Sequence, residues 1–132
     1  MLLQCIQDDG ECNEGGIFVA MLACSIFQDT QQRLPGCTGD VRGSDWELDI
    51  AALQQTAMSV WQELGLSGKC LATQEVLTEV CRCGGASLHC VGSILGGIAA
   101  QEAIKLLLRQ FVPVSGVLVY NGIHASTRVL DV

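Results

Sequence analysis

Four residues in the second half of the chain have side chains that could do chemistry and lie close in sequence: Cys81, Cys83, His89 and Cys90. Three thiols and an imidazole are zinc-ligand types, but the spacing is not that of paired knuckles. A thiolate at Cys81 or Cys83 is the second option, because thiolate attack can form a thioester. The bland alternative is that these cysteines pack at a helix end and that His89 is a structural residue at the start of the next helix. His124 falls in a turn, where a solvated imidazole is expected. Gly65-Leu-Ser-Gly-Lys69 is not a phosphate loop, since the spacing and the residue after Lys69 are wrong, and no Gly-x-Gly-x-x-Gly follows a strand.

Bulk properties narrow the classes further. The 132 residues suit one domain or part of a larger one, and 49% are hydrophobic, enough for a core. A net charge of -7 argues against nucleic acid or an anionic membrane as the main partner. The charge is uneven: residues 1–70 hold ten acids and three bases, residues 71–132 four of each. Eight cysteines could form a disulfide framework. The acidic start (Asp8, Asp9, Glu11, Glu14) has no basic signal-peptide region, however, so reduced thiols in the cytosol or nucleus are expected. The apolar run Cys90–Ala100 is followed by Gln101, Glu102 and Lys105, and falls short of the roughly 18 apolar residues of a membrane span.

These side chains need elements to position them. Residues 1–16 are expected to be a poorly ordered acidic N-terminus. A helix is expected from about Ile17 to Gln32, ended by Arg33-Leu-Pro-Gly36, with a glycine-rich loop from Cys37 to Gly43. Ser44-Asp-Trp-Glu47 has the capping-box pattern. The helix after it buries a stripe of Trp46, Ile50, Leu53, Ala57, Val60, Trp61 and Leu64, and Gly65 and Gly68 stop it. A short helix from Gln74 to Cys83, capped by Thr73, buries Val76, Leu77 and Val80. A long helix runs from Ser87 to Arg109. Strands over Gly116–Gly122 and Thr127–Val132 flank a turn. The class is α+β, mainly helical with a C-terminal β-hairpin. A two-stranded ribbon is marginal alone and needs cover.

The long helix is the most telling element. Gly92, Gly96, Ala99 and Ala103 form one row, and Ser93, Gly97 and Ala100 a second beside it. Three interior glycines cost about 1 kcal/mol each in helix propensity. Close approach of other protein to the notch would offset that cost. Ile94, Ile98, Ile104 and Leu108 lie on the other side, so both faces call for cover. The filler could come from this chain, either the Trp46–Leu64 helix or the hairpin, or from a partner. Glu102 and Lys105 read as a solvated helix pair.

Gly96-Gly-Ile-Ala-Ala-Gln-Glu-Ala-Ile-Lys-Leu106, followed by a strand ending in Tyr120-Asn-Gly122, resembles the closing helix and hairpin of the ubiquitin-activating-enzyme superfamily. Further matches are Arg33-Leu-Pro-Gly36, Asp49-Ile50, Gln62-Glu-Leu-Gly-Leu66, Glu79-Val-Cys-Arg-Cys-Gly84, His89 and Gln110-Phe-Val-Pro113. Together they resemble the C-terminal region of the regulatory, non-catalytic subunits of neddylation-activating enzymes.

The resemblance covers roughly residues 17–132 and implies a fragment of an adenylation-like (ThiF/MoeB-type) fold. Residues 17–68 would end an inserted helical domain, and residues 69–132 would supply closing helices and the hairpin. It also implies no cofactor in this chain, MgATP at a catalytic partner subunit, and assembly with that subunit. The ubiquitin-like protein would be met only indirectly, in the cytoplasm, with the nucleus as a second compartment. Gly92, Gly96, Gly97, Ala99, Ala100 and Ala103 are the expected packing residues, and self-association of the chain could also cover them. A cysteine-dependent enzyme and a small metal-binding module are the alternatives.

Overall fold

In a computed structural model, residues 14–37, 45–66, 68–83 and 85–131 are described. Over them run helices α1 (Glu14–Gln31), α2 (Asp45–Glu63), α3 (Gln74–Cys83) and α4 (His89–Leu108), then strands β1 (Val117–Asn121) and β2 (Ser126–Leu130). The helical majority and the C-terminal antiparallel hairpin agree with the α+β expectation. Two compact units divide between Ala86 and Ser87.

The first unit is built from α1, α2 and α3. α1 begins at Glu14, three residues earlier than the sequence suggests, and Glu14, Gly15 and Gly16 are buried helical residues rather than part of a loose tail. An acidic first turn complements the helix dipole. The rest of the expected N-terminal tail, the Gly39–Gly43 stretch and the Ser44 cap lie outside the described residues. Val19, Ala20, Ala23, Cys24 and Phe27 form the buried face of α1.

On α2 the expected stripe is buried at its centre, through Leu53, Ala57, Val60 and Trp61. Its two ends differ from expectation: Trp46 and Leu64 are exposed, because each lies in a terminal turn beyond the reach of the packed faces. α2 ends as the glycine signal requires. Gly65 adopts φ +69°, its N–H donates to Gln62 O, and Leu66 N–H donates to Trp61 O. That is the Schellman arrangement, and the flanking residues Leu66 and Trp61 are both buried, as its apolar contact demands. The Trp61 indole N–H has no acceptor among the described residues. α3 spans the expected residues, with Leu77 N–H bonded to Thr73 O and Val76 N–H directed at Thr73 Oγ1. Its buried residues are Leu77 and Cys81, whereas Val76 and Val80 are only half-buried.

The second unit contains α4 and the hairpin. α4 is entered from Leu88, whose extended backbone (φ -89°, ψ 118°) makes no side-chain cap, and left through Arg109 in the left-handed region at φ 54°. The β1–β2 register pairs Val117 with Leu130 and Asn121 with Ser126. Gly116 is required at the hairpin entrance. Its φ is +105°, and a Cβ there would stand 2.2 Å from Leu130 O. At the turn, Asn121 Oδ1 accepts from the N–H groups of Ile123 and His124, at 3.0 and 3.4 Å. Such side-chain capping of its own turn is what places Asn at these positions. Val119, Asn121 and Leu130 share one buried face of the ribbon.

Candidate interaction surface

Three interactions determine what each unit can present. In the first unit, α1 hands over to a β-turn, Leu34-Pro-Gly-Cys37, closed by Cys37 N–H to Leu34 O at 3.2 Å. Pro35 pre-sets the second position, and Gly36, at φ +74°, supplies the third, the type II pattern. Asp49, in the second turn of α2, reads this corner. Its Oδ1 and Oδ2 each take a 2.6 Å hydrogen bond from the Arg33 guanidinium, and Oδ2 also accepts Gly36 N–H at 2.9 Å. Arg33 in turn lies over the Phe27 ring, 5.2 Å from its centroid. The Arg33 bonds, joined by the Gly36 amide, hold the Asp49 carboxyl below its ordinary range despite burial. On the far side, a Cβ at Gly36 would stand 1.9 Å from Cys81 O, so the turn rests directly on α3. Arg33-Leu-Pro-Gly36 is therefore a junction for three helices. From the sequence this segment reads as a helix end and as part of the family resemblance, not as a junction. The available signal was an acid, Asp49, inside an apolar stripe, where a buried charge demands a partner.

Among the described cysteines, two are set apart by burial. Cys24 and Cys81 are buried, and burial pushes both thiols up to about 11; the neighbouring Cys81 adds to the rise at Cys24, and the Asp49 charge adds to the rise at Cys81. A thiol with so high a pKa is protonated at neutral pH, the opposite of an activated nucleophile. Cys37, Cys83 and Cys90 are exposed. Among the described residues no three His, Cys, Asp or Glu side chains come together as a metal site. His89, expected to be a satisfied structural residue, is exposed at the first position of α4, where no neighbour encloses the ring. His124 is exposed in the hairpin turn, as expected.

In the second unit, none of the 20 residues of α4 is buried. Its half-buried positions, Val91, Ile98, Glu102 and Lys105, fall along one line. The hairpin segment lies against this line: a Cβ on Gly122 would be 3.5 Å from Val91 Cγ2, and Glu102 Oε2 accepts Val114 N–H at 2.8 Å. Glu102 Oε1 takes a 2.7 Å bond from Lys105 Nζ. Glu102 and Lys105 are thus more than a solvated pair, because Glu102 pins the chain leading into β1. Lys105, followed by the Val114 amide, holds the Glu102 carboxyl below its ordinary value.

The small-residue rows point elsewhere. Gly92, Gly96, Gly97, Ala99, Ala100 and Ala103 are all exposed, and a Cβ on any of the three glycines would meet nothing within 4 Å. The hairpin therefore does not fill the notch. Of the opposite row only Ile98 is half-buried; Ile94, Ile104 and Leu108 are exposed. Beyond them Leu107 and Val112 are 82% and 89% exposed. α4 is also long and apolar enough to cross a membrane by length and composition, with a mean hydropathy of 1.4 over its best 18-residue window. The sequence expectation stopped the apolar run at Ala100, whereas the helix carries it on through Ala103, Ile104 and Leu106–Leu108 around the paired Glu102 and Lys105.

The chain is 32% identical over 125 residues to the NEDD8-activating enzyme E1 regulatory subunit AXR1 of Arabidopsis thaliana, a match covering 95% of this chain and 22% of the relative. It is similar along almost its whole length to NEDD8-activating enzyme E1 regulatory subunits. The subunit of Xenopus laevis is 36% identical over 119 residues (90% of this chain), and that of Drosophila melanogaster 40% over 84 residues (64%). No family model matches the chain. The chain spans about a fifth of the length of these regulatory subunits, 22% and 23% of the two from Arabidopsis thaliana. The resemblance read from Gly96–Leu106 and the upstream segments thus extends over nearly all of the chain.

Proposed function

We propose that this chain acts as part of the regulatory, non-catalytic subunit of a heterodimeric, ATP-dependent activating enzyme for a ubiquitin-like protein, and serves neddylation by subunit assembly. The similarity to a NEDD8-activating enzyme E1 regulatory subunit, 32% identity over 95% of this chain, carries the reading. The open face of α4 supports it physically, since an exposed apolar helix with three uncovered glycines gains stability when other protein covers it. In this reading α4 and the hairpin are the closing elements of a ThiF-type adenylation-like fold, whose remaining strands extend the ribbon. The first unit is the end of an inserted helical domain. MgATP binds at the catalytic partner, which meets the ubiquitin-like protein directly, and this chain contributes contacts rather than chemistry. The site of action is the cytoplasm, with the nucleus as a second compartment.

The test is co-expression of the longer subunit containing this sequence with a catalytic subunit of the neddylation-activating enzyme, followed by size-exclusion chromatography and an ATP-dependent thioester assay. Co-elution and thioester formation that depends on both subunits are expected. Separate elution, with full activity of the catalytic subunit alone, would overturn the proposal.

A further inference from the structure

We draw no further inference here: the strongest candidate, the exposed apolar face of α4 with the Leu106–Val112 patch at its C-terminal end, is an unpartnered surface, and nothing in the structure shows what covers it beyond the reading already proposed.

Discussion

Asp49 grips Arg33 through two 2.6 Å hydrogen bonds across 16 positions of sequence, and the same carboxylate holds the Gly36 amide. Removing its charge leaves a guanidinium facing an uncharged amide. Asp49→Asn should therefore destabilise the first unit by about 1.5–3 kcal/mol, the range for hydrogen bonds to charged groups. Urea denaturation followed by circular dichroism reads this directly, and an unchanged midpoint would show that the junction contributes nothing.

The same carboxylate sets an acid limit. Its pKa is lowered on folding from the ordinary 3.8, so its stabilisation is complete above that value. It declines as pH falls toward the lowered folded value and is absent below it. Wild type should lose stability steeply below about pH 4, and Asp49→Asn should flatten that part of the profile. Parallel profiles for the two proteins would contradict the assignment.

Gly36 is constrained twice, by φ +74° and by the Cys81 carbonyl oxygen, 1.9 Å from where a Cβ would stand. Gly36→Ala should cost more than the roughly 1–2 kcal/mol of left-handed strain alone, because the α3 backbone must also move. Gly65 has a similar φ of +69° but open space around it, so Gly65→Ala should show the strain alone. Comparing the two melting temperatures separates strain from collision.

Thiol labelling should divide the cysteines. With pKa values near 11, Cys24 and Cys81 should resist iodoacetamide at pH 7.5, while exposed Cys37, Cys83 and Cys90 react first. Peptide mass mapping against time is the measurement. Rapid modification of Cys81 would reopen a nucleophilic role.

Gly96 separates folding from assembly. With nothing within 4 Å of a Cβ at this position, Gly96→Ala should raise helix stability by about 1 kcal/mol in the isolated chain. Gly96→Leu should leave the isolated chain folded yet weaken binding to the catalytic subunit at least tenfold, measured by calorimetry. Equal binding by the leucine variant would show that the notch seats no partner.

The elements were legible where one local signal dominates. Periodicity located the core of α2, and Gly65 marked its Schellman end within a residue or two. Asn121 and Gly116 flagged the hairpin. What escaped were relationships over distance. Nothing adjacent to Asp49 announces that Arg33 is its partner, and the early start of α1 was hidden by two glycines that look like a breaker but are helical and buried. For the surface, the pattern from Gly92 to Ala103 located the small-residue rows. It could not decide whether the hairpin would fill them, because that depends on which line of α4 the chain returns along. The Glu102 bond to the Val114 amide selects the other line.

That bond also turns the stretch from Arg109 to Gly116 into a spacer of defined length. It is fixed at one end by the left-handed cap at Arg109, near the middle by Glu102, and at the other by the Gly116–Leu130 approach. Pro113 immediately before the pinned amide narrows its freedom further. An insertion of one residue here would have to be taken up between these anchors, so it would strain or release the Glu102–Val114 bond or the Gly116–Leu130 approach. Most linkers tolerate changes in length; this one acts as a gauge, and natural variation should spare its residue count more strictly than its residue types.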